Sequence, residues 1–270
     1  MSEPFEVHHP AFHRLVPADS TIERIAGGFS FTEGPVWRDG ALLFSDIPAN
    51  RTVRWRLLPE GPEVTTFQTP SGKANGLTLD AQGDLIRCEH QGRRVSRVAR
   101  DGAVTTLADR YQGKRLNSPN DVVVQSDGSI YFTDPPAGLG AVMPDLVPRG
   151  IAEAGAAQEL PFQGVYRLDT DGRLTLLVDD FALPNGLAFS PDERLLYIDD
   201  SIRRHVRVFV VRTDGTLADG RIFADMQSPD EGAPDGMKVD VEGHLYCTGP
   251  GGAWVYAPDA TLLGRIITPE

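Results

Sequence analysis

A polar turn followed by two short apolar runs recurs five times along the chain, and this recurrence constrains the fold more than any other feature. One copy has a polar start at residues 117–121, an apolar run at 122–124, a Ser-Asp-Gly turn at 126–128 and a second apolar run at 130–132. Two such runs joined by a glycine-containing turn predict a β-hairpin. The five starts, at 33, 75, 120, 185 and 235, are separated by 42, 45, 65 and 50 residues. Two further strand-like runs follow each hairpin, and four strands recurring at about 40–50 residues are typical of β-propeller blades.

Two runs near the ends of the chain determine how many blades we expect. Residues 21–25 alternate as an outer strand does and stand before the first repeat, while residues 264–268 resemble the outer strand of the fifth repeat. The sequence therefore predicts an all-β, six-bladed β-propeller whose sixth blade is incomplete in this chain. A ring closed by five blades is the alternative.

The predicted domain organisation is simple. Residues 1–20 are polar, contain three prolines and are expected to form an irregular N-terminal arm. Residues 21–270 are expected to form a single propeller domain, interrupted by an insertion at residues 136–162 that is rich in Gly, Pro and Ala. Such a segment indicates a loop over a functional site or a tolerated surface insertion.

The charge of the chain excludes some classes of partner. The formal net charge is −12, which argues against binding to nucleic acid or to an anionic membrane surface. No apolar run reaches the roughly 18 residues of a membrane span. The polar, acidic N-terminus is unlike a signal peptide, so the expected location is the cytoplasm. Cys88 and Cys247 both lie in predicted strands and are expected to be reduced, buried residues.

Oxygen-bearing side chains stand at equivalent places at the starts of the repeats. The starts of the repeats all open on one face of a propeller. We therefore expect four of these side chains to meet at that face: Glu33, Asn120, Asn185 and Asp235. Asn75 is a fifth candidate. Two carboxylates and two amide carbonyls suit Ca²⁺ or Mg²⁺ better than a soft metal. Each residue taken singly also fits ordinary turn chemistry.

The second strand of each repeat returns to the same face and ends in further polar residues. Glu89, His90 and Asp134 stand there and are expected to support the ligands or contact a substrate. Arg115 fits a polar substrate or a surface ion pair. The sequence contains no Gly-x-Ser-x-Gly elbow, His-Glu-x-x-His pair or phosphate-binding loop. The predicted substrate contacts are Asn75, Glu89, His90, Arg115, Asn117 and Asp134.

Four short motifs, in order along the chain, resemble those of the gluconolactonase, regucalcin and senescence-marker-protein family, and of its bacterial gluconolactonase branch in particular. They are FTEGPVW at 31–37, NSPND at 117–121, LPNGL at 183–187 and PDGM at 234–237. The resemblance implies a six-bladed propeller that binds one catalytic divalent metal, often calcium, and hydrolyses sugar lactones. It also implies that Glu33, Asn120, Asn185 and Asp235 are the metal ligands and that Asp235 is the general base.

The sequence thus predicts a metal-dependent hydrolase that opens a small sugar lactone. The expected cofactor is one divalent ion, Ca²⁺ first, with Mg²⁺, Mn²⁺ or Zn²⁺ as alternatives. Two other interpretations use the same oxygen ligands. One is a calcium-binding propeller without catalysis, and the other is an esterase or organophosphatase.

Overall fold

Antiparallel β-strands make up nearly all of the regular structure of this protein. The computed structural model describes residues 4–139, 150–151 and 156–268. The chain divides into two compact units, a first unit of residues 25–184 and a second unit of residues 1–24 together with 185–270. The second unit begins with strand β1 (Phe5–Val7) and helix α1 (Phe12–Leu15). In the described part of the chain, no helix is long and apolar enough to span a membrane.

The first unit contains three four-stranded sheets, each with its strands in chain order, which we call blades one to three. Blade one consists of β2 (Thr32–Arg38), β3 (Ala41–Asp46), β4 (Arg51–Leu58) and β5 (Gly61–Gln68). Blade two consists of β6 (Ala74–Leu79), β7 (Leu85–Glu89), β8 (Arg94–Val98) and β9 (Val104–Ala108). A two-stranded hairpin follows, β10 (Arg110–Tyr111) with β11 (Lys114–Arg115). Blade three consists of β12 (Val122–Val124), β13 (Ile130–Asp134), β14 (Gly164–Leu168) and β15 (Leu174–Val178).

Local turn chemistry explains why these strands form where they do. Asp39 and Gly40 join β2 to β3 with φ angles of 50° and 73°, the left-handed pair that a tight two-residue hairpin requires. Blades one and two share an apolar core in which Leu43 packs with Leu77 and Leu85. This core holds the first strands of the two blades side by side.

The second unit contains two more sheets, blades four and five. Blade four consists of β16 (Pro184–Phe189), β17 (Leu195–Asp200), β18 (His205–Val211) and β19 (Leu217–Asp225). Blade five consists of β20 (Met237–Val239), β21 (Leu245–Gly249), β22 (Gly252–Tyr256) and β23 (Leu262–Ile266). Strand β1 pairs with β23 and adds a fifth strand to blade five.

The prediction of an all-β propeller is confirmed, but the predicted count of six blades is wrong. The described residues form five blades. The sixth blade was inferred from residues 21–25, which were expected to be an outer strand without a blade of its own. Those residues contain no strand. The outer position beside β23 is taken instead by β1.

The segment expected to be an irregular arm contains both β1 and α1. Phe12 of α1 is fully buried and packs with Val255 and Leu263 of blade five. Arg265 adds a hydrogen bond from Nε to Glu6 Oε2 at 2.6 Å. These contacts attach the start of the chain to its last blade.

The insertion at residues 136–162 is described only in part, because residues 140–149 and 152–155 lie outside the described residues. Its first described part is a short 3₁₀ helix at Ala137–Leu139. Gly138 donates its N–H to Ser118 Oγ at 2.9 Å. This end of the insertion therefore packs on the loop that leads to Asn120.

Candidate functional site

In the first unit, glycines bring the starts of neighbouring first strands into backbone contact. A β-carbon placed on Gly34 would lie 2.3 Å from the carbonyl oxygen of Asn75. One placed on Gly76 would lie 2.7 Å from the carbonyl oxygen of Asn120. Only glycine permits such an approach. The glycine after one candidate ligand thus fits against the backbone of the candidate in the next blade, which places Glu33, Asn75 and Asn120 on three adjacent strand starts.

The second unit repeats this contact between blades four and five. A β-carbon placed on Gly186 would lie 2.3 Å from the carbonyl oxygen of Asp235. The side chain of Asn185 donates from Nδ2 to Ser201 Oγ at 3.1 Å, and Ser201 Oγ donates to the carbonyl oxygen of Pro234 at 2.7 Å. The hydroxyl of Ser201 therefore connects Asn185 to the backbone of Pro234, the residue before Asp235, a role that the sequence did not indicate.

β-Bulges occur where two of the candidates stand. The pairing of β2 with β3 shifts register between Glu33 and Val36, and that of β6 with β7 shifts between Ala74 and Leu77. A bulge leaves residues out of the ladder and changes the direction of a side chain. Glu33 thus stands at the start of a bulge and Asn75 within one, which releases these positions from the regular alternation of the strand.

Asn120 and Asp235 have the same backbone environment in their respective units. Asn120 donates its N–H to the carbonyl oxygen of Thr133 at 2.8 Å, and Asp235 donates to that of Thr248 at 3.1 Å. In each case the threonine returns a hydrogen bond from its own N–H to the residue after the candidate. The predicted equivalence of these two positions is therefore visible in the hydrogen bonds of each blade.

Asp134 lies beneath the loop that leads to Asn120 and is completely buried. Its Oδ2 accepts the backbone N–H of Asn117 at 2.8 Å, and its carbonyl oxygen accepts Asn117 Nδ2 at 2.9 Å. Burial raises the pKa of this carboxyl to about 7, and the hydrogen bonds from Asn117 and Ser118 oppose the rise. Asp134 Oδ1 and Asn117 Oδ1 have no hydrogen-bond partner among the described residues. The structure therefore places Asp134 where it orients the loop.

His90 and Asn75, both predicted substrate contacts, lie side by side. Asn75 Nδ2 is 3.3 Å from His90 Nε2. Burial, with a smaller effect of Lys73, lowers the pKa of His90 to about 4, so the ring is neutral at pH 7 and accepts from the amide. Gly138 of the 3₁₀ helix covers the ring so closely that a β-carbon there would lie 2.8 Å from it. The insertion therefore packs directly on His90.

Glu89 lies in a buried ion-pair network. Its Oε1 accepts from Arg87 Nε at 3.0 Å and from Ser96 Oγ at 2.5 Å, and its Oε2 accepts from Arg94 Nε at 2.8 Å. Both carboxylate oxygens are thus engaged inside blade two. That Glu89 contacts a substrate stays a prediction, and in this structure its carboxylate stabilises the blade.

Arg115 lies at the edge of the same region, at the end of β11. Its N–H donates to Glu159 Oε2 at 2.8 Å, and its Nη2 donates to the carbonyl oxygen of Gly92 at 3.2 Å. Glu159 belongs to the described end of the insertion. Of the predicted substrate contacts, the structure brings together two groups within the first unit, Asn75 with His90 and Arg115 with Asn117 and Asp134.

The four predicted metal ligands divide equally between the two units, Glu33 and Asn120 in the first and Asn185 and Asp235 in the second. Their donor atoms are carboxylate and amide oxygens, which fit a hard divalent cation. Asn120 is mostly buried, while Glu33, Asn185 and Asp235 are half-buried. Within the described ranges, no three His, Cys, Asp or Glu side chains group as a metal site. Convergence of the four on one ion stays a prediction.

Comparison with known proteins identifies the family. Residues 31–270 match the family model described as the SMP-30/Gluconolactonase/LRE-like region. The chain belongs to this family. The resemblance predicted from the four short motifs is thereby confirmed.

Relatives of this SMP-30/gluconolactonase/LRE-like chain include named lactonases. A gluconolactonase of Zymomonas mobilis is 34% identical, and the match covers 95% of this chain and 75% of the relative. A pentonolactonase of Haloferax volcanii is 30% identical, with 88% and 73% covered. The solved structure of a Xanthomonas campestris gluconolactonase superposes with a TM-score of 0.87 at 38% identity, covering 99% of this chain and 85% of that one.

Proposed function

We propose that this protein hydrolyses sugar lactones. The observation that carries the proposal is the similarity to gluconolactonases, in sequence and in structure, over nearly the whole chain. The polar side chains around Asn75, Asn117 and Arg115 suit a substrate with several hydroxyl groups. A lactone is a cyclic ester, so the reaction adds water to the carbonyl carbon and breaks the ring carbon–oxygen bond.

The metal centre of this proposal consists of Glu33, Asn120, Asn185 and Asp235. These oxygen donors would hold one divalent ion, with Ca²⁺ the first candidate and Mg²⁺, Mn²⁺ and Zn²⁺ the alternatives. When bound, such an ion supplies positive charge at the carbonyl oxygen of the lactone. The ligand set carries two negative charges and leaves room for substrate oxygens, since calcium takes roughly 6–8 ligands.

The protein's own side chains supply the remaining chemistry. Asp235 accepts a proton from the attacking water as general base. The residue is partly exposed. Arg115 holds hydroxyl groups of the sugar. Asn117 is fully buried and donates from Nδ2 to the carbonyl oxygens of Asp134 and Phe162, so it orients the loop that carries Arg115. Asn75 with neutral His90 borders the same region. Asp134 acts from beneath by holding the backbone of Asn117, and Glu89 holds the side chains of Arg87 and Arg94.

Acid release from glucono-δ-lactone and from a pentonolactone tests this proposal. The wild-type protein is measured after chelation and again after addition of Ca²⁺, Mg²⁺, Mn²⁺ or Zn²⁺, with the spontaneous hydrolysis of the lactone subtracted. We expect activity that chelation removes and one or more ions restore. A wild-type protein that hydrolyses neither lactone above the spontaneous rate, with any of the four ions, contradicts the proposed function.

Two substitutions test the roles of the residues. Asp235→Asn lowers the ligand charge from −2 to −1 and removes the proposed base, so we expect loss of hydrolysis and weaker metal binding by calorimetry. Asn75→Ala leaves the four ligands in place, and we expect metal affinity to be nearly unchanged. Hydrolysis by Asp235→Asn at the wild-type rate would show that the assignment of the base is wrong.

A further inference from the structure

Arg93 occupies the turn between β7 and β8 in a backbone conformation that favours glycine. Its φ is 52°, a left-handed value at which a residue with a β-carbon is strained and glycine is not. The side chain is nevertheless long, charged and almost fully buried, with 5% of the residue exposed. A buried charge is unfavourable unless polar groups surround it. The contacts of the guanidinium explain why an arginine stands at this position.

The guanidinium of Arg93 binds three backbone carbonyl oxygens. Its Nε lies 2.7 Å from Leu116 O and 3.0 Å from Asn117 O. Its Nη1 lies 3.2 Å from Ala157 O and 3.9 Å from the carboxylate of Glu159. Leu116 and Asn117 belong to the loop that leads to Asn120, whereas Ala157 and Glu159 belong to the described end of the insertion. One side chain therefore links two segments that are distant in sequence.

These two segments also contact each other directly, through Arg115 and Asn117. Arg115 N donates to Glu159 Oε2 at 2.8 Å, and Asn117 Nδ2 donates to Phe162 O at 2.9 Å. Arg93 differs from both because it lies outside the two segments, in blade two. It can therefore fix their relative position without itself taking part in binding.

We propose that Arg93 is a positioning residue of the lactonase reaction, which holds residues 115–117 against residues 157–162 so that the partly exposed Arg115 meets the substrate hydroxyls. This inference rests on the proposed function. The planar fork of a guanidinium can bind several carbonyl oxygens at once, whereas the ammonium of lysine is a single point of charge. The side-chain contacts of Arg93 are to residues 116, 117, 157 and 159 and not to the four predicted metal ligands. We therefore expect the loss of Arg93 to weaken substrate binding rather than to slow the chemical step.

The test compares Arg93→Met and Arg93→Lys with the wild-type protein, all loaded with the activating ion. Misplacing binding groups by a fraction of an ångström is costly, so we expect Arg93→Met to raise KM for glucono-δ-lactone on the order of tenfold while kcat changes less than about threefold. We expect Arg93→Lys to give an intermediate KM. With unsubstituted δ-valerolactone, which has no hydroxyls to place, KM of Arg93→Met should stay within about twofold of wild type.

The kinetic pattern separates positioning from instability. Partial unfolding lowers the amount of active enzyme, so it decreases the apparent kcat and leaves KM unchanged. Arg100→Met is a matched control in the same blade, because Arg100 is exposed and pairs only with exposed Asp39 among the contacts described for it. We expect wild-type kinetics from this variant. If a folded Arg93→Met has the wild-type KM for glucono-δ-lactone, the proposal is wrong.

Hydrogen exchange provides a second measurement that does not depend on activity. In Arg93→Met, amides of residues 115–120 and of residues 156–162 should exchange faster together, while those of blade five keep their wild-type rates. Arg93→Gly, which relieves the left-handed strain, should show the same faster exchange if Arg93→Met does not fold. Unchanged exchange in both segments overturns the inference, whereas an inactive wild-type protein contradicts only the proposed function.

Discussion

Gly76 donates its N–H to the carbonyl oxygen of Asn120 at 2.8 Å, and a β-carbon on Gly76 would lie 2.7 Å from that same oxygen. The start of blade two thus contacts the start of blade three through a hydrogen bond between backbone atoms. Gly34 approaches Asn75 in the same way. The distance between neighbouring candidate residues is therefore determined by the backbone and not by their side chains.

Gly76→Ala should destabilise the protein more than an ordinary glycine substitution. The added methyl group would lie 2.4 Å from Asp121 Oδ1 and 2.6 Å from its Cα, and overpacking of this kind typically costs about 1–3 kcal/mol. Urea unfolding measures the loss. Gly102→Ala is the control, because nothing lies within 4 Å of its β-carbon position and only its φ of 88° opposes alanine. An equal or smaller loss in Gly76→Ala than in Gly102→Ala would contradict the close contact.

The contribution of Asp134 to the stability of the protein should fall as the pH rises from 5 to 8. Burial raises the pKa of this carboxyl from 3.8 to about 7, so the folded protein keeps a proton that the unfolded chain releases at lower pH. The contribution is fully present below about pH 4 and is lost as the pH rises through 7. Relative to Asp134→Asn, which stays neutral, wild type should lose up to a few kcal/mol of unfolding free energy. Parallel stability curves for the two proteins between pH 5 and 8 would exclude this effect.

The two thiols should be unreactive in the native protein. Cys88 and Cys247 are both free and fully buried, and burial raises the pKa of each, with Asp121 acting on Cys88 and Asp199 on Cys247 in the same direction. Since the thiolate is the reactive form, labelling by a disulfide reagent at pH 8 should be slow in buffer. In guanidinium chloride both thiols should react at once. Rapid labelling of either cysteine without denaturant would be inconsistent with this packing.

Phe12→Ala should strongly destabilise the second unit. Phe12 is fully buried against Val255 and Leu263, and truncation of a buried phenylalanine costs about 3–5 kcal/mol. Val241→Ala serves as the control, since Val241 is 92% exposed and should change stability by less than about 0.5 kcal/mol. Thermal unfolding of both variants measures the difference. If the two midpoints agree, α1 contributes nothing to blade five.

The repeats were predictable because their signals are local. The turn at Asp39 and Gly40, and the apolar runs around it, specify a hairpin within a few residues. Asn120 and Asp235 could be aligned for the same reason, since each precedes its own first strand. The pairing of β1 was not predictable, because Phe5–Val7 is a three-residue strand whose partner lies at the other end of the chain.

The connections around the candidate site depend on contacts between distant residues, which a periodic pattern does not encode. Glu89 has the charge expected of a substrate contact, yet Arg87 and Arg94 engage both of its oxygens inside blade two. In the sequence, nothing except the preceding Gly92 indicates a special role for Arg93. Its three carbonyl partners are 23, 24 and 64 residues away.

The glycine contacts between strand starts also bear on how such a site changes during evolution. Gly186 sets the approach of blade four to the backbone of Asp235, and Gly76 sets that of blade two to Asn120, so neither distance depends on which side chain the candidate carries. A point mutation that exchanges an amide for a carboxylate at Asn75, Asn120 or Asn185 would therefore alter the charge offered to an ion without moving the backbone of the strand starts. In this chain the glycines thus separate the position of a candidate ligand from its chemistry.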